Sequence, residues 1–326
     1  MSSSAIYAKA RAMQANLLTK EDYESLVHKA SVSALIYELQ QSKGYQEVMK
    51  EASTRLHRGA LEALLHHILY QRFRKLSRYA FQNEAFFELV TLKQTMKLVH
   101  ASIVLLPMHQ DLFLQKLPSD VQKIFPYDVN ALLACETSLE VCQFYQGSKF
   151  YPEIQAYLKH QDHVQLELDL SKWWINQQQK VIQKLPKKSQ QKVLDYLGME
   201  SDLYHMEIIY RTRFHFQYDV EQIKAYLLPY AKKLKEKQFI QLMNCKKEDY
   251  FKLCRQYGYE YQIGVNFRKK YLYQYSKKSL YMENDPYLSY LCAILLFQNE
   301  CDNICAIIEG IRYQNEPEAI MTHVIV

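Results

Sequence analysis

Glycine and proline are scarce in this chain, 7 and 8 of 326 residues, where ordinary globular sequences carry roughly 7% and 5%. Few chain breakers means few tight turns, which favours long helices over sheets. No stretch alternates apolar and polar residues between turn signals as a strand would. The most apolar runs, residues 98–108 and 288–297, stop at about ten residues, whereas a membrane span needs roughly 20. Met1-Ser2-Ser3-Ser4-Ala5 lacks a basic start and an apolar core, so no cleavable secretory signal is expected. The seven cysteines are odd in number and form no CxxC pair. Cys301 and Cys305 share a helical face and read as buried, reduced thiols. The cytoplasm is the expected compartment.

The spacings that carry chemistry are missing as well. There is no GxxxxGK phosphate loop, GxGxxG, HExxH or GxSxG in the chain. His66 and His67 are adjacent, hence about 100° apart on a helix and badly placed to share a metal. His160 and His163 sit in a polar linker with no Cys or Glu constellation beside them. Acidic residues are dispersed among basic ones, which argues against an Asp-rich metal site. Trp173-Trp174 reads as one inward ring and one at a helix rim rather than a ligand platform. The sequence therefore predicts no catalytic residue, no cofactor-binding residue and no metal ligand. It also predicts that the isolated protein neither hydrolyses ATP nor holds a metal.

What the chain does have is tyrosine, repetition and scattered positive charge. Tyr numbers 27, a side chain with an apolar ring and a polar tip that suits a gripping surface. The net charge of +6 comes from clusters at residues 72–78, 187–188, 232–237, 269–270 and 277–278. These read as solvated helix faces, or as a surface meeting acidic protein or anionic lipid. No nucleic-acid motif accompanies them.

Residues 141–154 repeat residues 35–48, with identities at Gln40/Gln146, Ser42/Ser148, Lys43/Lys149, Tyr45/Tyr151 and Glu47/Glu153. A fainter third copy carries Gly258-Tyr259 where the first has Gly44-Tyr45. Tyr45, Tyr151 and Tyr259 thus recur at about a third of the chain length, which predicts three related units. Apolar periodicity places helices at about 4–17, 19–27, 35–41, 56–79 and 86–106 in the first unit. The second unit follows a linker holding Pro118 and Pro126, with helices at about 131–145, 166–185 and 190–216. In the third they fall at about 223–237, 246–257, 265–280 and 286–313, with a short one from Asn315 onward. Asp285 before Pro286 is a strong helix start.

Both ends and the middle carry a family resemblance. The stretch Glu300-Cys301-Asp302-Asn303-Ile304-Cys305-Ala306-Ile307-Ile308-Glu309-Gly310-Ile311-Arg312-Tyr313, then Glu316-Pro317-Glu318-Ala319-Ile320, forms one part. Tyr7-Ala8-Lys9-Ala10-Arg11-Ala12-Met13, Leu17-Leu18-Thr19 and Asp22-Tyr23-Glu24 form the second. Gly147-Ser148-Lys149-Phe150-Tyr151 is similar to a Gly-Thr-x-Tyr motif, with Ser148 standing for the threonine. In order and spacing these resemble the C subunit of V/A-type rotary ATPases, the family that includes the d subunit of the eukaryotic V-ATPase. The chain departs from that pattern at Gln314 and Asn315, where the family usually has a glycine.

The resemblance implies an all-α fold of three pseudo-repeated helical units, 1–110, 111–218 and 219–326, forming a funnel-shaped scaffold. It implies a non-catalytic central-stalk subunit, without cofactors, coupling a rotating shaft to the proteolipid ring during H+ or Na+ transport. The partners would be the central-shaft subunits and the proteolipid ring, with no nucleic acid and no direct membrane span. The site would be the cytoplasmic face of the membrane. A generic α-solenoid adaptor binding protein partners is the alternative, and a metal-dependent all-α enzyme the third class. Six residues are expected to be structurally important: Arg11, Tyr45, Tyr151, Tyr259, Glu300 and Asn303. Arg11 and Glu300 are expected to pair, because a charge on so apolar a helix must find a partner or water, with Asn303 on the same face adding a hydrogen bond.

Overall fold

Side-chain caps start seven of the described helices. The computed structural model describes residues 3–42, 44–49, 58–79, 83–108, 127–260 and 266–326. It opens with α1 (Ser3–Gln14), α2 (Lys20–Val27), α3 (Val32–Gln41) and the single turn α4 (Gln46–Met49). Thr19 and Asp22 cap α2 reciprocally, each side chain accepting the other's backbone N–H. Two long helices follow as a hairpin, α5 (Arg58–Ser77) and α6 (Glu84–Leu105). A 3-10 turn over Leu106–Met108 ends α6.

The same order returns twice. Short helices α7 (Val129–Leu133), α8 (Ser138–Phe144) and α9 (Tyr151–His160) precede the hairpin of α10 (His163–Ile182) and α11 (Lys187–Phe214). Then α12 (Val220–Ala225), α13 (Glu236–Asn244) and α14 (Lys247–Gln256) precede α15 (Phe267–Met282) and α16 (Pro286–Arg312), and α17 (Pro317–Met321) closes the chain. No strand occurs among the described residues, and the fold is all-α.

Two expected helices are broken. The segment expected at 131–145 splits, because Thr137 and Glu140 form a capping box that starts α8 afresh. The helix expected at 223–237 ends at Ala225. Pro229 has no N–H to continue the ladder, and the N–H groups of Lys232, Lys233 and Leu234 donate instead to the Asp202 carboxylate on α11. The linker expected around Pro118 and Pro126 lies outside the described residues, as does Lys43 of the repeat.

The three hairpin turns gather at one end. The Ser189 hydroxyl at the start of α11 donates to Asp285, the N-cap of α16, at 2.5 Å. Asn83, before α6, donates to the Tyr287 hydroxyl at 3.1 Å. Phe86 and Phe87 pack their rings against Tyr287 and Tyr290, a geometry worth about 1 kcal/mol per pair beyond area burial. Around these hairpins the short helices form an outer layer. α8 packs on α6, α12–α14 on α11, and α1–α3 on α16. The first helices of the chain therefore lean on its last long helix, with Ile6 and Ala10 wholly buried in the core.

Tyrosine serves this interior more than the surface. The hydroxyls of buried Tyr250 and Tyr290 donate to the carbonyls of Met206 and Phe87 at 2.7 and 3.0 Å, so burying the ring leaves no polar atom unsatisfied. Two stretches, Glu84–Met108 and Pro286–Arg312, are long and apolar enough to cross a membrane by length and composition. Half or more of each apolar window is buried inside the protein. Helix packing accounts for both.

Candidate functional site

Glu300 lies in the middle of α16 and its side chain is nearly inaccessible to water. An isolated carboxylate there costs several kcal/mol, so each oxygen has partners. Oε1 accepts from the Arg72 guanidinium at 2.7 Å and from the Tyr45 hydroxyl at 2.5 Å. Oε2 accepts from the backbone N–H of Leu18 at 2.5 Å. Arg72 is held over the rings of Tyr45 and Phe297. Burial alone would lower its pKa, but Glu300 and then Tyr45 outweigh that and raise it. The Tyr45 hydroxyl is raised well above its usual range by burial first and by Glu300 second.

The expected Arg11–Glu300 pair is not formed. Arg11 is exposed on α1, donates to the Tyr7 hydroxyl at 3.1 Å and lies over the Tyr281 ring. Its face of α1 points to solvent, while buried Ala10 takes the core side. Asn303, one turn beyond Glu300, fixes the end of the chain. Its side chain exchanges two hydrogen bonds with the backbone of Ile325, at 2.8 and 3.0 Å.

A second buried acid is built alike. Asp202, wholly buried on α11, accepts the three connector N–H groups and the Tyr259 hydroxyl at 2.6 Å. Lys233 lies 4.5 Å from the Tyr259 ring centroid. Tyr45 and Tyr259 thus share a setting: a loop tyrosine bound to an acid on a long helix, with a cation over its ring. Tyr151 does not share it. Its N–H closes the same turn onto Ser148 that Tyr45 closes onto Ser42. Its own ring is only half-buried, however, and the neighbouring Phe150 fills the core against Trp173. Earlier in the same stretch, the buried Tyr145 hydroxyl bonds Ser102 on α6 at 2.9 Å. Arg72, Asp202 and Ser102 were not singled out from sequence, since each answers a partner remote in the chain.

Between the long helices lies a cavity of ≈ 640 Å³, walled by α6, α10 and α11. Trp174 and Leu197 give it apolar patches, and Lys93, Lys97, Glu200 and Arg268 give it charge. Ion pairs brace its walls: Lys93–Glu200 at 3.9 Å, and Arg268 with Glu207 at 3.4 Å. The pKa of Lys97 is lowered by burial first and by Lys93 second.

The other candidates behave as side chains of the scaffold. His66 is depressed by burial, and His67 meets Gln71. His163 packs on Tyr157, and all seven cysteines are free. Among the described residues no three His, Cys, Asp or Glu side chains come together as a metal cluster.

The family model for the ATP synthase (C/AC39) subunit matches residues 6–323. A comparison with curated proteins gave no match.

Proposed function

The chain belongs to the ATP synthase (C/AC39) subunit family of V/A-type rotary ATPases, and on that premise we propose that it is a non-catalytic central-stalk subunit joining the rotating shaft to the proteolipid ring. The observation that carries this reading is the extent of the family match, residues 6–323. The functional residues are then those of a mechanical part. Three helical units, at 1–110, 111–218 and 219–326, surround the central cavity, which receives the end of the shaft. The opposite side faces the ring on the cytoplasmic side of the membrane, and rotation passes from one to the other during H+ or Na+ transport.

Torque demands that such a spacer neither shear nor slip. Close-packed helices resist deformation, and the buried acids tie peripheral helices to central ones by charge-assisted hydrogen bonds, the stronger kind. Tyr45, Tyr259, Glu300 and Asn303 act in this reading as fasteners rather than contacts to partners. Purification of the chain from detergent-solubilised membranes of its own cells tests the assignment. Proteolipid and shaft subunits should co-purify, and deletion should uncouple ATP hydrolysis from ion transport. A chain isolated alone, or with unrelated partners only, would overturn it.

A further inference from the structure

Three basic clusters that are remote in sequence meet at the hairpin-turn end of the bundle. Lys75 and Arg78 flank the first turn, Lys184, Lys187 and Lys188 the second, and Lys278 the third. All six are exposed. The contacts Ser189–Asp285 and Asn83–Tyr287 hold the turns side by side, so these charges share one end. Few acids oppose them. Asp285 is buried as a cap, Glu283 is paired with Lys192, and Glu84 and Glu88 are exposed at the start of α6. Beside the third turn Tyr281 and Met282 are 60% and 70% exposed, an aromatic and a flexible thioether of the kind that enters a membrane interface.

We propose that this end rests on a membrane surface and binds anionic lipid headgroups. Lys75, Lys184, Lys187, Lys188 and Lys278 outnumber Arg78, Arg74 and Arg11, the last lying over the Tyr281 ring; lysines are compact point charges suited to a diffuse field of headgroups. The charges are spread over three turns instead of lining a groove, which also fits a surface better than a peptide. Basic clusters of this size bind anionic leaflets with an affinity that falls with salt. The inference rests on the rotary-ATPase reading only for the presence of a membrane, and adds which end meets it and by what chemistry.

The test is co-sedimentation of the full-length protein with vesicles of phosphatidylcholine alone or with phosphatidylglycerol added. Binding should require the anionic lipid and weaken at high salt. Lys184→Gln/Lys187→Gln/Lys188→Gln should lower the partition coefficient by about 100-fold. Lys237→Gln/Lys246→Gln/Lys247→Gln should leave it unchanged, since α13 and α14 adjoin the far end of α11, where Arg213 donates to the Met243 carbonyl. Equal binding to both vesicle types, or to neither, overturns the proposal, as does equal loss in both triple variants. Binding to polyglutamate as tight as to anionic vesicles replaces lipid by acidic protein and also overturns it. A chain that co-purifies with ring and shaft yet ignores anionic vesicles overturns this inference alone. One that binds them but recruits no other part of a rotary ATPase supports it while removing the functional reading.

Discussion

Arg72 and Glu300 are 228 residues apart in sequence and 2.7 Å apart in space, with side chains 14% and 2% exposed. One lies on α5 and the other on α16, and Tyr45 and Leu18 bring the outer layer of the first unit to the same carboxylate. Three segments of the chain therefore depend on one acid.

Removing that acid strands the arginine. Glu300→Ala should destabilise by about 3–5 kcal/mol, read from urea unfolding midpoints. Arg72→Met/Glu300→Leu should recover much of the loss, because an apolar pair needs no compensation. Arg11→Met should have a small effect, within about 0.5 kcal/mol. Additive losses in the Arg72/Glu300 cycle would show that the contact carries no coupling.

Asp202 holds four donors, so its truncation should cost more than the loss of any one of them. Asp202→Ala leaves three N–H groups, that of Leu234 buried, and the buried Tyr259 hydroxyl without their acceptor, for a cost of about 3 kcal/mol, whereas Tyr259→Phe should cost about 1 kcal/mol. Hydrogen exchange at Lys232 and Lys233 separates the two variants. Fast exchange is expected in Asp202→Ala alone.

His205 is wholly buried and accepts the Leu228 N–H through Nε2. Burial pushes its pKa down to about 4 from the ordinary 6.5. Between those values the unfolded chain binds the proton and the folded chain does not. The stabilisation is therefore complete above pH 6.5 and is lost as pH falls toward 4, by about 3 kcal/mol at most. His66, also depressed by burial, adds in the same direction. His205→Gln keeps an acceptor without the titration, and its melting temperature should fall less between pH 7 and pH 5 than that of the unmodified chain. Identical slopes would assign the effect to other groups.

Gln314 adopts φ 54° at the turn between α16 and α17, and the family resemblance places glycine at this position or at Asn315. A left-handed conformation costs a residue with a Cβ about 1 kcal/mol. Gln314→Gly should therefore raise stability slightly or leave it unchanged, despite the greater freedom glycine has when unfolded. A loss beyond about 1 kcal/mol would mean that the glutamine side chain has a role of its own.

Local signals were legible in the sequence. Thr19 with Asp22 and Asp285 with Pro286 start helices where their chemistry says they should. The box at Thr137 and Glu140 carried the same kind of signal, but continuous apolar periodicity masked it. The Arg72–Glu300 pair was not legible. Its partners come from different units, and Arg72 sits among basic residues that otherwise face water, so nothing nearby marks it as buried. Arg11 offered a nearer motif and the wrong face of a helix. The repeat predicts equivalent settings for Tyr45, Tyr151 and Tyr259; Tyr45 and Tyr259 share one, but at Tyr151 the neighbouring Phe150 does the packing.

Because α1–α3 pack on α16, these helices leave the ribosome well before the helix they lean on. Contacts spanning 282, 255 and 228 residues close only when Glu300 has emerged. Until then α1 and its neighbours expose apolar faces that include Ile6, Ala10 and Leu35, surfaces that chaperones bind and that aggregate readily. Loop closure over such distances slows folding. A nascent chain stalled before Glu300 should be open to protease at its amino-terminal helices, and completion of α16 is the step that protects them.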